Sequence, residues 1–473
     1  MKQYKKLAVN TFLFAIGNIG SRSISFLMLP IFTRYMIPED FGKLDVINTT
    51  VSLLVPILSL QIIEAVFRFA VELRKEQKSE DLLSSAILFS TIAIVFSLSL
   101  YPVLIKISVF SEYRTYFYAI FYLTILREIV RQYIRGIEKI KLYVLSDILY
   151  SLVFIISNLI LLVGLKLGIK AYLLSNIFAS LASSLFIIVF AGLYKQIRLK
   201  LNKTLLKEML AYSVPLMPNG IMWWIVTAAD RYIIAYFLGY ESTGIYSVAA
   251  RFPALLTVLY SIFFQAWQLS AMEEYGKESY SVFFGRVFGV ISSAMFLLSS
   301  LFFLIVKPFM NVFVGKAFAE SWKYVPFLFL GAVYNTFATF YGVNYTASKK
   351  TIGAFSTSVI AAGIKLMSIL ALIRFLGIQA ASVSSFLAYI SMWLARIYHT
   401  RKLAQVEIDK KHLTFSSILL ICQTLVLLLV ENTILMYTFQ GIIVAILLVL
   451  QRKYLKQVLQ FARSVFRERN ARI

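Results

Sequence analysis

One cysteine, Cys422, and two histidines, His399 and His412, are all that the chain offers of the usual soft ligands and general bases. Disulfides within the chain are thereby excluded, and Cys/His zinc sites and histidine-based triads have almost nothing to draw on. No glycine-rich loop ends in the lysine and hydroxyl of a Walker motif, which argues against an ATP-driven pump in one chain. Charge is scarce too, at 15% of 473 residues, and acids are the scarcer sign: 23 Asp and Glu against 47 Lys and Arg. What fills the chain instead is apolar, with 60% hydrophobic residues and a mean hydropathy of +0.79. A soluble domain does not carry that balance, so the chain belongs to the membrane class.

Apolar runs long enough to cross a bilayer follow one another and predict an all-α membrane protein of fourteen spans. They lie near 8–32, 42–64, 82–105, 113–134, 142–165, 170–194, 208–238, 243–268, 283–306, 324–346, 351–373, 377–397, 413–430 and 433–451. The connectors between them are short and charged, the longest near 65–81 and 269–282. The first span follows Lys2, Lys5 and Lys6 but is too long for a signal peptide and carries Arg22, so it reads as a retained anchor. An even number of spans puts both termini on one side. That side holds a roughly threefold surplus of Lys and Arg, which marks it as cytoplasmic. The net charge of +24 is therefore a matter of topology and does not call for nucleic acid as a partner. Beyond the last span, Leu455, Val458, Leu459, Ala462, Val465 and Phe466 share one helical face among basic residues. This predicts a basic amphipathic helix lying on the anionic inner leaflet.

An internal repeat divides the chain. Glu39, Gly42, Val46, Leu53, Leu54 and Ser59 recur 202 residues later as Glu241, Gly244, Val248, Leu255, Leu256 and Ser261. The apolar matches carry little weight in such a sequence; the glutamate–glycine pair carries more. Six spans per half is an even number, so the halves run parallel about an axis along the membrane normal. The expected plan is a six-helix bundle over 1–200, a second over 201–405 around a shared central cavity, two further helices over 406–451 and the tail over 452–473.

Six basic residues lie within or at the edges of the apolar spans: Arg22, Arg68, Arg127, Arg231, Arg251 and Lys365. A cation in a bilayer is costly unless it meets water or a partner. Arg127 sits near a helix end with Arg131 and Arg135 at i+4 and i+8, and Arg68 follows Glu64 at i+4, so snorkelling and local pairing account for both as well as a functional site does. Arg231 adjoins Asp230 and reads as structural or gating. Arg22, Arg251 and Lys365 lie deeper and have no acid close in sequence. Polar stripes run along the same helices: Thr11, Asn18, Arg22 and Ser25; Asp45, Asn48, Thr49, Ser52 and Ser59; Tyr143, Asp147, Ser151 and Asn158. Such stripes face a cavity or hydrogen-bond to neighbouring helices. Asp45, Asp147 and Glu128 either neutralise the cations or bind a coupling Na⁺ or proton. Pro215 and Pro218 can break the seventh span and provide a bend.

Several runs resemble a known family. Asn18-Ile-Gly-Ser-Arg22, Thr33-Arg-Tyr35 and Pro38-Glu-Asp-Phe-Gly42 look like the opening of the polysaccharide flippases of the Wzx type. So do Tyr212-Ser-Val-Pro-Leu-Met-Pro218, Asp230-Arg-Tyr232, Phe237-Leu-Gly239 and Gly244-Ile-Tyr-Ser-Val-Ala249. These flippases belong to the multidrug/oligosaccharidyl-lipid/polysaccharide exporter superfamily. The resemblance implies a transporter rather than an enzyme, in the bacterial plasma membrane. It would move an undecaprenyl-diphosphate-linked oligosaccharide to the outer leaflet by alternating access, for a surface polysaccharide such as O-antigen or capsule. No cofactor is implied, only coupling to the membrane potential, H⁺ or Na⁺. The glycan polymerase and glycosyltransferases would be protein partners. A diphosphate suits guanidinium forks, so Arg22, Arg251 and Lys365 are the expected cationic cavity, with Asn18, Ser25, Asp45, Asn48 and Asp147 in support. Arg68, Asp230, Arg231, Pro215 and Pro218 are expected to gate or brace it. Two other readings stay open: a drug or organic-cation antiporter of the same superfamily, which would want an acidic cavity, and a scaffold for glycan assembly.

Overall fold

The computed structural model describes residues 26–76, 81–104, 108–198, 200–350, 352–404 and 406–470. Among the described residues the chain is helical with no strand, as the bilayer demands of a backbone that must satisfy its own hydrogen bonds. Nine helical stretches among these residues are long and apolar enough to cross a membrane, against the fourteen expected. The difference has particular causes. The first expected span lies mostly outside the described residues. The seventh and eighth fall in one 72-residue helical stretch, Lys203–Glu274. Leu82–Ser97 is short, Arg114–Gly136 carries too many charges for an apolar span, and Val325–Ala347 is diluted by Tyr, Asn and Thr.

The chain forms two compact units, one ending at Gly244 and the other beginning at Ile245. The first contains α1 (Leu29–Tyr35), α2 (Pro38–Leu58), α3 (Ile62–Glu76), α4 (Leu82–Ser97), α5 (Arg114–Gly136), α6 (Ile140–Asn158) and α7 (Ile169–Phe190). It continues with α8 (Lys203–Ser213), α9 (Met217–Ala228) and the first part of α10 (Asp230–Arg251). The expected span 42–64 stops early. Pro56 lies two residues before the end of α2, and Leu60 and Gln61 take positive φ of 47° and 57°, which turns the chain into α3. The segment expected as a connector near 65–81 is thus helical as far as Glu76. Pro215 and Pro218 do break the seventh span: a 3₁₀ turn, Val214–Leu216, separates α8 from α9. Proline lacks the N–H that a continuous α-helix would need there.

A second break falls inside α10 at Gly239, whose φ of 85° and ψ of 174° are open almost only to glycine. The turn seats the following residues on the start of α2. A methyl added at Gly42 would lie 1.9 Å from the Tyr240 carbonyl oxygen, and one at Gly244 would lie 1.9 Å from that of Pro38. The contact is reciprocal in the register of the repeat: Pro38 corresponds to Tyr240 as Gly42 does to Gly244. The repeated glycines are there because two backbones touch.

The second unit contains α11 (Pro253–Glu274), α12 (Tyr280–Phe313), α13 (Val325–Ala347), α14 (Ile352–Leu376), α15 (Gln379–Thr400), α16 (Lys410–Leu429) and α17 (Thr433–Asn470). Aromatic rings fill the space between α11, α12 and α13; Trp267 stacks on Phe340 with centroids 4.2 Å apart. The last two helices are pinned to α12 by buried amides. Gln423 donates to the Ser300 carbonyl at 3.1 Å and to Gln440 at 2.7 Å, and Gln440 donates back to the Gln423 carbonyl at 3.0 Å. His412 contacts Gln451, which donates to Ser416 at 2.9 Å. In lipid, where apolar surface gains little by pairing, such bonds hold helices together. α17 runs unbroken from the last span through the tail to Asn470.

Candidate functional site

The charged interior of the first unit is built by three helices. α5 presents Arg127, Glu128 and Arg131 within four residues, so all three reach one side of the helix. α6 presents Asp147 at the centre of its polar stripe, with Tyr143 and Tyr150 within a turn on either side. Arg127 donates to one Asp147 oxygen at 2.9 Å and Arg131 to the other at 2.8 Å, so a single carboxylate bridges two guanidinium groups. Arg131 also reaches Glu128 at 3.1 Å and the Tyr143 hydroxyl at 2.6 Å. The Tyr150 ring lies under the Arg127 guanidinium at 4.0 Å, and Arg127 Nε donates to Ser183 of α7 at 3.4 Å. Two cations and two carboxylates leave the array formally neutral. Asp147 is only 4% exposed by side chain, while Arg127 and Arg131 keep 16% and 15%. Arg131 Nε is buried with no hydrogen-bond partner among the described residues.

These arginines are therefore not snorkelling at a helix end. They turn inward because the acid that suits them is on the next helix, which spacing along one helix does not reveal. Arg68 is the opposite case: it is exposed and pairs at 2.7 Å with Glu72, one turn onward, rather than with Glu64.

A second charged cluster joins α2 to α10. Arg231 donates to Asp45 at 3.2 Å, to its neighbour Asp230 at 2.6 Å and to the Thr227 carbonyl at 2.7 Å. Both aspartates are buried. Trp224 closes the same contact by donating to the Thr49 carbonyl at 3.0 Å, and Tyr232 meets the Thr50 hydroxyl. Asn48 is half-buried on the same helix. The break at Pro215 and Pro218 lies at the start of α9, which packs on α2.

In the second unit Lys365 is fully buried on α14 and contacts Ser385 of α15, with the Ala381 carbonyl at 3.5 Å. Arg251 is half-buried in the last turn of α10. Arg396 lies inside the expected span 377–397 but is not among the six basic residues singled out there. It is only 4% exposed and donates to Thr357 at 3.2 Å and to the Ala338 carbonyl at 2.6 Å. Its apolar neighbours Trp393, Leu394 and Ile397 were the available signal. Asn18, Arg22 and Ser25 lie outside the described residues. Chemically, the array on α5 and α6 offers two guanidinium forks held open by carboxylates, an arrangement in which an anion can take the place of an acid.

Residues 7–268, more than half of the chain, match the family described as "Polysaccharide biosynthesis protein". The fold matches a structure titled "Lipid II flippase MurJ, inward closed conformation", with a TM-score of 0.70 at 15% identity, covering 96% of this chain and 100% of that one. It also matches an inward-facing multidrug resistance MATE family transporter of the MOP superfamily, with a TM-score of 0.67 at 15% identity, over 81% of this chain and 95% of that one. The outward-facing form of such a transporter matches with a TM-score of 0.57 at 13% identity, over 83% and 94% of the two chains. No curated protein sequence gives a match.

Proposed function

The chain belongs to the polysaccharide biosynthesis protein family, and from that membership we propose that it is a flippase for an anionic, lipid-linked oligosaccharide. The observation that carries this reading is the bridging of Arg127 and Arg131 by Asp147 within helices that are otherwise apolar. A buried array of this kind is a poor source of stability compared with apolar packing, so its presence calls for a polar cargo. The cargo is an undecaprenyl-diphosphate-linked glycan, moved from the cytoplasmic to the outer leaflet by alternating access. Its diphosphate exchanges with the carboxylates on the guanidinium forks, which bind phosphate and carboxylate by the same bidentate geometry. Arg22, Arg251 and Lys365 supply the remaining positive charge along the route. Asn18, Ser25, Asp45 and Asn48 line it, and the Asp230–Arg231 pair, Arg68 and the bend at Pro215 and Pro218 govern its opening. The protein works in the bacterial inner membrane with both termini in the cytoplasm, beside the polymerase and glycosyltransferases of its glycan.

The test replaces Arg22, Arg251 and Lys365 singly by Ala and measures both export of the glycan and abundance of the protein. Loss of export at normal abundance is expected for each. Normal export in all three would overturn the assignment.

A further inference from the structure

A cleft of about 720 Å³ opens in the second unit, between the first turns of α12, the segment leading into α16, and α17. Its walls are fixed. Glycine at 285 lets the backbone of Glu407 lie against α12, where a methyl would meet the Glu407 carbonyl oxygen at 1.9 Å. The Glu407 amide donates to Ser281 at 3.1 Å, and Tyr275 donates to the Leu403 carbonyl at 2.8 Å. Tyr454 is buried against His412, with ring centroids 4.7 Å apart.

The lining is amphoteric. Arg286 and Lys453 bring two positive charges, Glu407 and Asp409 two negative ones, and none of the four forms an ion pair among the described residues. Asp409 uses one oxygen to cap α16 at the His412 amide, 3.0 Å away, and keeps the other. Charges of both signs held apart around one space suit a ligand that carries both signs itself. The position narrows the class. The cleft lies where the apolar stretches Tyr280–Phe313 and Thr433–Gln457 meet their ends, which is the level of the lipid headgroups, and exposed Val282 offers an apolar edge.

We propose that this cleft binds the headgroup of a zwitterionic aminophospholipid, its phosphate on Arg286 and Lys453 and its primary ammonium on Glu407 and Asp409. A primary ammonium donates hydrogen bonds to carboxylates, whereas a quaternary ammonium cannot. An anionic headgroup would meet two like charges.

The full chain, purified in detergent, is offered equimolar dioleoyl phosphatidylethanolamine, phosphatidylcholine and phosphatidylglycerol, and bound lipid is counted by native mass spectrometry. Phosphatidylethanolamine is expected to exceed phosphatidylcholine about tenfold, the worth of one or two charge-assisted hydrogen bonds. Glu407→Gln should lower that ratio and raise phosphatidylglycerol, because the cleft gains net positive charge. The Arg286→Gln, Lys453→Gln double variant should lose phosphatidylethanolamine binding. All three side chains are exposed, so the fold should tolerate these changes, and unfolding curves check that it does. Equal retention of the three lipids by the unmodified protein overturns the proposal without recourse to any variant. So does an unchanged preference in folded Glu407→Gln.

Discussion

Asp147 accepts from two guanidinium groups at once, at 2.9 and 2.8 Å, from a nearly inaccessible position. Removing it would leave Arg127 and Arg131 to share one carboxylate of the array, Glu128. Breaking one side of a buried ionic cluster costs about 3–5 kcal/mol, most of it from the charges left behind. Asp147→Ala should therefore lower the thermal unfolding midpoint and the abundance of the protein, and Arg127→Ala in the same chain should recover part of the loss. Unfolding that is unchanged in Asp147→Ala would contradict the geometry. Arg68 shows the other limit, 59% exposed and paired, among the described residues, with Glu72. Such exposed pairs are worth about 0–1 kcal/mol, so Arg68→Ala should leave the unfolding midpoint almost unmoved.

Helix by helix, the structure depends on where backbones can approach and where polar side chains find one another. α2 and α10 touch through Gly42 and Gly244, with no room for a methyl on either. Gly42→Ala forces the helices apart, an overpacking that typically costs about 1–3 kcal/mol. The double variant with Gly244→Ala should cost less than the sum of the singles, because the first separation already makes room for the second. Unfolding measurements on the three variants decide it; strict additivity would show that the glycines are not one contact. The amides that hold α16 and α17 invite a similar comparison. Gln423→Leu leaves the Gln440 side-chain oxygen buried without its donor, at a cost of about 1–3 kcal/mol. Replacing both by Leu should restore most of that, read from the same unfolding curves.

For the molecule as a whole, the membrane potential acts on any charge it carries. Two negative charges leaving an inside-negative compartment gain about 4–5 kcal/mol per 100 mV. Export of the glycolipid from vesicles should accordingly rise when valinomycin and a potassium gradient set the interior negative, with no added Na⁺ or pH gradient. Export indifferent to the potential and to both ion gradients would exclude electrical coupling and ion coupling alike.

Much of this was legible in the chain before folding. Apolar length and the scarcity of charge determine an all-α membrane protein, since only closed hydrogen-bonded helices of that composition can occupy lipid. The repeated glycines were visible as a pair, and the prolines at 215 and 218 announced their break, because both effects are local to the backbone. Tertiary structure decided which charges meet. Arg127 and Asp147 are 20 residues apart and Arg231 and Asp45 are 186 apart. Periodicity assigns a residue to a face of its own helix and is silent about the helix opposite. It also decided that α2 ends at Leu58, that Arg396 is buried, and that the last span and the tail form one helix. Each depends on packing partners brought together from distant sequence, and a pattern read along one chain holds no energy term for them.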